Sequence, residues 1–449
     1  MDDFLFNEFS TVSPAAWKQK IQVDLKGADY NDSLIWKSNE GIDVKPFYTS
    51  EDRHNNNVCL PKDGYKICQS IFVDDVIIAN KIAVDSLERG ATAIQFIAKN
   101  TFDYIVLFDK IDTKQTHIYL NFEFLDAAFI SEIEKYCKGN YIYFQIDIIG
   151  NLAKTGNWFS NLNADISEKA KFIHTVTNSI CVDASLYQNA GATIIQELAY
   201  ALAHTNEYLE LFGESIALKI HYIFSIGSNY FFEIAKLRAF RILVEVLLKE
   251  RGIQHTTIHI FTKPSLRNKT IFDYNVNMLR TTSECMSAIL GGSDTISNIS
   301  YDSIYHKSNE FGERIARNQL LILKEEAYLS EAHKFANGAY YIENTEKQFA
   351  EKALQLFKQI EKNGGFLKQL KKGTIQNKIS ENAGKQQELF DQNKLILLGT
   401  NKLPSQNDRM KNELQIYPFL KKKNSKTLIV PILQRRLSEQ HEQNRLKME

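Results

Sequence analysis

The chain has few of the features that mark a secreted, membrane-spanning or zinc-stapled protein. Its 449 residues include five cysteines, an odd number without C-x-x-C spacing, so neither a disulfide framework nor a structural zinc site is expected. No apolar run approaches the roughly 20 residues that a membrane span needs. The first residues, MDDFLFNEFS, are acidic and lack the apolar core of a signal peptide. These absences predict a cytoplasmic protein without a membrane partner.

An excess of charge of one sign is also lacking. The 54 Lys and Arg residues balance the 54 Asp and Glu residues, so no basic footprint for nucleic acid is expected over the whole chain. Residues 401–449 are the local exception, with eleven basic and five acidic residues that include the run Lys421-Lys422-Lys423. We interpret this run and the final helix-like stretch as solvated, with an acidic partner surface as the alternative.

Short catalytic and metal-binding motifs are missing as well. The sequence contains no G-x-S-x-G, no P-loop and no H-E-x-x-H. The ten histidines are scattered, and His255 and His259, although four residues apart, span a passage from loop to strand where helical spacing does not apply. No metal site is predicted. Asp183, at the end of a predicted strand, is a candidate catalytic carboxylate or a structural one.

What the chain does have is a repeated alternation of strand-like and helix-like stretches. Eight apolar segments read as strands, at 65–72, 93–98, 117–122, 142–148, 179–184, 219–225, 257–262 and 294–299. Helical patterns follow them, among them 76–89, 126–137 with Gly139 after it, 165–177, 189–212, 229–250, 276–290, 311–335 and 341–373, the last interrupted by Gly364-Gly365.

This count and length predict a (β/α)8 TIM barrel over residues 61–375. An open doubly wound sheet is the alternative, although no glycine-rich phosphate fingerprint follows the first strand. Residues 1–60 form an N-terminal extension, whose Trp17, Trp36 and Phe47 pack either on the chain's own barrel or on a partner chain. Residues 376–449 are expected to be a C-terminal linker and helical segment. Chemistry in a barrel sits where the strands end, here at Ser70, Lys99, Glu123, Asp147, 183–186, Ser225, Thr262 and Asn298.

Several stretches together resemble the methylmalonyl-CoA mutase family. They are Trp17, DLKGADY (24–30), EGIDVKPFY (40–48), AGATIIQELAYAL (190–202), IGSNYFFEIAKLRAFR (226–241), NMLRTT (277–282), LGG (290–292), RIARNQLLILKEEAYL (314–329) and LGTNKL (398–403). The resemblance implies a barrel that binds an acyl-CoA along its axis. It also implies a radical rearrangement of the carbon skeleton that uses adenosylcobalamin.

Departures from the family indicate a companion subunit. Catalytic members continue into a cobalamin domain whose D-x-H-x-x-G histidine ligates cobalt, and this sequence has no such motif and is expected to lack that domain. The resemblance therefore implies the small subunit of a heterodimer. Its large catalytic subunit would hold the adenosylcobalamin and most of the acyl-CoA.

The positions that correspond to the family's site residues are also changed. The family has the motif I-R-Q-Y in the first strand, and the aligned residues here are 67–70. Cys68 therefore stands at the position of the family's arginine, and Ser70 at the position of its tyrosine. The G-Y-H after the fifth strand becomes Ala184, Ser185 and Leu186, and a leucine can donate neither a hydrogen bond nor a proton. A strand-four glutamine is kept as Gln145, whereas the arginine ten residues later aligns with Thr155. The seventh-strand H-x-x-x-S aligns with 261–265.

These changes predict that the chain carries no catalytic residue. A vestigial acyl-CoA pocket is expected at Gln69, Ser70, Gln145, Ser185 and Leu186. Two alternatives stay open. The barrel is itself catalytic and uses a separate cobalamin-binding protein, or it is a non-enzymatic barrel that binds an acyl-CoA.

Overall fold

Eight parallel strands curl around a common axis in the computed structural model, which describes residues 8–53, 58–137, 141–254, 257–420 and 426–449. They are β1 (Lys66–Phe72), β2 (Ala93–Ala98), β3 (His117–Phe122), β4 (Ile142–Phe144), β5 (Ile180–Asp183), β6 (Ile220–Ile226), β7 (His259–Pro264) and β8 (Thr295–Ile296). Their hydrogen-bonded order is β4-β3-β2-β1-β8-β7-β6-β5, so the first strand meets the last. The predicted (β/α)8 barrel is confirmed. Gly139, His255 and the run Lys421-Lys422-Lys423 lie outside the described residues.

Helices surround this sheet and extend beyond it. They are α1 (Pro14–Asp24), α2 (Tyr30–Leu34), α3 (Val76–Glu88), α4 (Tyr104–Leu107), α5 (Ala127–Cys137), α6 (Ile148–Thr155), α7 (Leu162–Ala170), α8 (Ser185–Asn189), α9 (Ile194–Phe212), α10 (Tyr230–Glu250), α11 (Val276–Leu290), α12 (Glu310–Leu321), α13 (Tyr340–Lys362), α14 (Phe366–Lys371), α15 (Thr374–Asp391) and α16 (Glu439–Leu446). Shorter turns are the 3-10 segments Ser50–Asp52, Glu214–Lys219 and Leu329–Lys334 and the π turn Ile322–Glu326. A hairpin joins Trp36–Lys37 to Asp43–Val44.

Strand β6 and helix α10 lie deepest in the molecule. Every residue of β6 is buried, as expected for a parallel strand covered on both faces. Helix α10 packs against α9, α11 and α13, which explains why most of its sides are apolar. Between α10 and α13 the Nε of Arg238 lies 2.6 Å from Glu346 Oε2, and both side chains are buried.

The strands β4 and β5 stand at the two ends of the hydrogen-bonded order. Two contacts bring them together. The backbone N–H of Phe144 donates to the carbonyl of Asn178 at 3.1 Å, and the N–H of Asp183 donates to the carboxylate of Asp147 at 3.0 Å. The barrel is therefore nearly closed, with a side chain completing the last seam.

Four predicted elements differ from the observed ones. The predicted strand 142–148 ends at Phe144, because the Asp147 side chain accepts from the N–H of Gly150 and caps α6, which begins at Ile148. The predicted helix 311–335 is α12 followed by the π turn, because the Tyr65 hydroxyl donates to the Leu320 carbonyl and Tyr328 adopts a positive φ of 55°. The predicted helix 165–177 is α7, which begins earlier because Asn161 accepts from the N–H of Ala164. The predicted strand 294–299 shortens to the two residues of β8.

The C-terminal stretch was expected to be solvated, and this is wrong for 436–439 and Glu442, whereas Gln440, His441, Asn444, Lys447 and Met448 are exposed. The side chains of Arg436 and Glu442 form a buried ion pair at 2.6 Å, and Leu437 and Ser438 are buried as well. The sequence did not predict these contacts, because a basic composition does not distinguish a buried, paired arginine from an exposed one. The helical part of the expectation holds as α16.

The N-terminal extension divides into two parts. The hairpin packs on the chain's own barrel, where Ile42 is fully buried and Trp36 stacks on Phe232 with ring centroids 5.4 Å apart. Helix α1 has no buried residue, and its Trp17 stays 51% exposed. Packing on the own domain is thus observed for the hairpin and for the segment after it, where Tyr48 meets Tyr341 of α13 with ring centroids 5.4 Å apart. The division of the chain at residues 60 and 375 stays a prediction.

Candidate functional site

The inward-facing side chains of the strands form layers along the barrel axis, as in other barrels of this type. The middle layer takes one residue from each of seven strands, and these touch one another in a single buried cluster. Its members are Cys68, Ala93, Tyr119, Tyr143, Cys181, Ile223 and Phe261. A layer of this composition fills the axis.

Histidines pack below that layer, at the beginning of their strands. The Tyr119 hydroxyl lies 2.8 Å from His259 Nε2 and 2.6 Å from the Thr295 hydroxyl. Tyr143 stacks on His259 with centroids 4.3 Å apart, and its ring also meets His221 edge-on. Burial lowers the pKa of His259 and His221 below the ordinary value. These rings are therefore neutral and serve as packing.

A polar cluster lies above the middle layer, at the C-terminal mouth. The Ser70 hydroxyl donates to Gln95 Oε1 at 2.7 Å and lies 2.8 Å from the Ser297 hydroxyl. Lys263 Nζ also donates to Gln95 Oε1, at 2.7 Å, and Gln95 in turn donates to Gln145 Oε1. Because an ammonium group can only donate, Lys263 sets the orientation of both amides. Burial lowers the pKa of Lys263, and Asp183 opposes that shift.

Asp147 occupies the seam between β4 and β5. Its Oδ1 accepts from the Tyr208 hydroxyl at 2.7 Å and from the Gly150 N–H at 2.7 Å, and it lies 3.1 Å from His204 Nε2. Burial alone would raise the pKa of Asp147, but His204 and these hydrogen bonds outweigh it, so the pKa lies below its ordinary value. A side chain on Gly150 would collide with this carboxylate. The aspartate is thus structural and ionised.

Asp183, the sequence's candidate carboxylate, is held by its own turn. Its Oδ1 accepts from the N–H and the hydroxyl of Ser185, at 3.1 and 2.5 Å. Burial raises the pKa of Asp183, and the charge of Asp147 adds to that rise. The carboxylate is therefore bonded to Ser185, the first residue of the short helix α8.

A cavity of about 260 Å³ opens beside this cluster, at the ends of β3, β4 and β5. Its lining comprises Asn121, Phe122, Glu123, Gln145, Asp147, Gly150, Asn151, Lys154, Thr155, Phe159, Cys181, Asp183, Leu186 and Ile223. Acidic and basic side chains both line this cavity. Thr155 stands at the position that the family resemblance assigns to an arginine. The Thr155 hydroxyl instead donates to the backbone carbonyls of Asn151 and Asn157.

An extended segment, residues 428–437, crosses the mouth of the barrel. Its backbone N–H groups donate to carbonyls in the turns that follow three strands. The bonds run from Leu428 and Ile429 to Gly156, from Ile432 to Ala153, from Arg435 to Asn189 and from Leu437 to Arg267. We call this segment the strap. Its bonds hold it at the end of the barrel where barrel enzymes place their chemistry, and none of its residues lines the 260 Å³ cavity there.

The predicted site residues separate into two groups. Ser70 and Gln145 lie inside the mouth and are joined through Gln95, and Leu186 lines the cavity with Gln145. Gln69 points outward instead, bonded to Glu313 and accepting from Arg317 NH1 at 3.0 Å.

Sequence reasoning missed two central members of the polar cluster, Gln95 and Lys263. The available signal was their position. Each is a polar residue at an inward alternate position of an otherwise apolar strand, and a group in that position needs a partner inside the barrel. Across the described ranges, no group of three or more His, Cys, Asp or Glu side chains is arranged to hold a metal ion. No helix in this part of the chain is long and apolar enough to cross a membrane.

Comparisons with known proteins agree with this architecture. The family model described as "Methylmalonyl-CoA mutase" matches residues 106–448. The methylmalonyl-CoA mutase small subunit of Porphyromonas gingivalis is 34% identical over 443 residues, covering 89% of this chain and 71% of the relative. The large subunit from the same organism is 30% identical over 53% of this chain and 35% of its own length.

A single-chain relative gives the same result over a shorter span. The methylmalonyl-CoA mutase of Rhizobium meliloti is 33% identical over 56% of this chain, which corresponds to 37% of its own length. The chain thus spans about a third of such relatives but most of the small subunit. Because the family model matches residues 106–448 and a small subunit is 34% identical over 89% of the chain, this protein belongs to the methylmalonyl-CoA mutase family.

Proposed function

We propose that this chain is a non-catalytic small subunit of an adenosylcobalamin-dependent methylmalonyl-CoA mutase, which pairs with a catalytic large subunit and stabilises the heterodimer. The observation that carries the proposal is the barrel interior. Its middle layer is filled by Tyr119, Tyr143 and Phe261. Leu186 and Ser70 stand where the family resemblance calls for hydrogen-bonding site residues, and the strap lies across the mouth.

Adenosylcobalamin belongs to the partner subunit in this proposal. The cofactor supplies the radical when bound, and the family's cobalt ligand is the histidine of D-x-H-x-x-G, a motif that this sequence lacks. The histidines of the barrel do not fit that role. His221 and His259 are enclosed among tyrosines at the beginning of their strands, away from the mouth.

The proposed partner contact uses the part of the extension that does not pack on the barrel. Helix α1 exposes Trp17 and Val23 and buries no residue, although Pro14 and the Ser13 cap define its start. A short helix without a packed face is marginally stable in water. A second chain that covered these apolar side chains would supply the missing packing. The names of the relatives include both a small and a large subunit, which supports a two-chain assembly.

Turnover of a reconstituted heterodimer tests the non-catalytic role. Removing a donor aimed at developing charge costs an enzyme about 10²–10³ in rate. If this barrel takes no part in the reaction, Ser70→Ala and Leu186→Ala should each leave turnover within about twofold of wild type, like the exposed control Ser33→Ala. The substitutions at the aligned positions of the large chain should abolish it.

Two further measurements complete the test. A tenfold loss on Ser70→Ala, with the complex intact by size-exclusion chromatography and thermal melting, would show that this barrel takes part in the chemistry. Stoichiometric uptake of adenosylcobalamin by the purified chain alone would contradict the assignment of the cofactor to the partner.

A further inference from the structure

The tip of the N-terminal hairpin inserts an acidic side chain into the helical layer. Glu40 lies between the two hairpin strands, and its Oε2 accepts a hydrogen bond from the backbone N–H of Ile194, the first residue of α9. The N-terminus of a helix favours such an acceptor, because its first N–H groups have no partner within the helix. The contact joins positions 154 residues apart, so it ties the extension to the barrel.

Other contacts hold the hairpin in the same place without using the charge of Glu40. Trp36 stacks on Phe232 of α10, and Ile42 is fully buried. Gln348 of α13 bonds both backbone groups of Asp43, accepting at 3.3 Å and donating at 3.2 Å. The carboxyl group of Glu40 is therefore brought to a fixed position whether or not it is ionised.

Two more carboxyl groups and one ammonium group stand behind Glu40. Lys236 Nζ lies 3.0 Å from Glu197 Oε2 and 2.5 Å from Glu233 Oε2, and it donates to the Ser225 carbonyl at 2.6 Å. An ammonium has three N–H groups, so these partners use all of them and none remains for Glu40. Fully ionised, the cluster would carry three negative charges against one positive charge, with Glu197, Glu233 and Lys236 buried and Glu40 partly buried, which is costly.

The remaining charged groups near the cluster do not supply the missing positive charge through a direct bond to Glu40. Arg267 bonds Gln386 and the Arg435 carbonyl, and Lys352 bonds the Gly41 carbonyl. Of the buried arginines on α10, Arg238 pairs with Glu346 and Arg241 pairs with Asp294. The hairpin itself carries Lys37 and Asp43, and the other charged residues of the three helices are Glu207 and Glu210 on α9, Glu245, Lys249 and Glu250 on α10, and Glu343, Lys347, Glu351, Lys358, Glu361 and Lys362 on α13.

Protonation resolves the excess of carboxylates. Burial raises the pKa of Glu40 to about 7, and the nearby charge of Glu233 adds to the rise. Burial likewise raises the pKa of Glu197 to about 8. A carboxyl whose pKa is higher when docked takes up a proton on docking. The docked form is then favoured most below the ordinary pKa of 4.5, and it loses that stabilisation as the pH rises from there to about 7.

We propose that the hairpin is a proton-dependent latch, which docks on α9 and α10 with Glu40 protonated and loosens as the solution goes from acidic to neutral while the barrel stays folded. Helix α1 precedes the hairpin in the chain, so release of the latch also frees the helix that the proposed function assigns to the partner. The latch itself does not depend on that assignment. It rests on contacts within this chain.

Hydrogen exchange followed by mass spectrometry tests the latch on the full chain at pH values of about 6, 7 and 8.5. After correction for intrinsic exchange rates, peptides that cover 36–44 should lose protection at least about tenfold between the lowest and highest pH. Peptides from β6 should not change. Glu40→Gln keeps a carbonyl acceptor for Ile194 but carries no charge, so its hairpin should stay protected throughout. Glu51→Gln, exposed on the same extension, should behave like wild type.

Three outcomes would overturn the proposal. One is hairpin protection in the wild-type chain that does not respond to pH. Another is a Glu40→Gln variant that keeps the wild-type response, which would assign the titration to a different group. The third is a hairpin that is unprotected at every pH in Glu40→Gln, because an ionised Glu40 would then be what holds it.

Discussion

Asp147 joins the two strands that the hydrogen-bonded sheet leaves apart. Its carboxylate takes bonds from the backbone of β5 and from Tyr208 of α9, and it lies against His204. A side chain thus does at this seam what backbone pairing does between the other strands. The cavity at the mouth borders the same carboxylate, so closure of the barrel and the shape of the cavity depend on one residue.

Replacing Asp147 with alanine should therefore destabilise the whole barrel. The change leaves the Tyr208 hydroxyl and two backbone N–H groups without an acceptor, at about 1–3 kcal/mol each, so we expect a loss of about 3 kcal/mol or more. Asp147→Asn, which keeps one acceptor oxygen, should lose less. Urea unfolding measures both, with exposed Asp109→Asn as the control. A loss below about 1 kcal/mol for the alanine variant would mean that the seam does not depend on this carboxylate.

The elements at the two ends of the chain differ in what they contribute to the fold. Helix α1 buries nothing, whereas the hairpin that follows buries Ile42 and inserts Glu40 beside α9. The strap at the other end of the chain makes backbone bonds to the turns after β4, β5 and β7. Elements outside the eight βα units therefore pack on the barrel at its side and near its mouth. Helix α1 meets only other residues of the extension, with Trp17 edge-on to Phe47, and buries none of its own residues.

Truncation should separate these roles. Deleting residues 1–26 removes α1 and should leave the melting temperature within a few degrees of the full chain, because no buried contact is lost. Deleting residues 1–48 also removes the hairpin and should lower it clearly. Both truncations should weaken binding to the large subunit, measured by co-elution at nanomolar concentration. Unchanged binding after the shorter deletion would contradict the partner role of α1.

The whole molecule should lose stability toward acid through its interior histidines. Burial lowers the pKa of His117 to about 4, and His221 and His259 are shifted in the same direction. Unfolded histidine has a pKa of about 6.5, so below that value the unfolded chain binds more protons than the folded one. The contribution of His117 is then complete above about pH 6.5. It falls as the pH drops toward 4, by about 1.4 kcal/mol for each pH unit between the two pKa values.

Urea unfolding between about pH 4 and 7 tests this expectation. His117→Gln should reduce the slope of unfolding free energy against pH, and the exposed control His174→Gln should keep it. A slope that His117→Gln leaves unchanged would place the acid sensitivity in other groups. The effect is opposite in sign to that of the hairpin latch, whose docking weakens as the pH rises, so the sign separates the two although their pH ranges overlap.

Local patterns in the sequence were sufficient to predict the barrel. Each strand and helix must bury one face, and that requirement leaves apolar residues at alternate or helical spacing, as in Ile94 and Phe96 of β2 or Leu198 and Leu202 of α9. The replacements at Ser70 and Leu186 were likewise readable, because they stand within matched motifs. Residue identity and short-range spacing carry this kind of information.

Contacts between distant positions were decided by the tertiary structure alone. The filled axis needs inward residues from seven strands, and the Glu40 cap joins the hairpin to a helix 154 positions away. The hydrogen bonds of the strap, and the bond between Gln69 and Arg317, also join positions that are far apart in the sequence. No spacing rule links such residues, because their distance depends on how all the intervening elements pack. The sequence by itself therefore determined the architecture and the family, while packing decided what occupies the axis and what lies at the mouth.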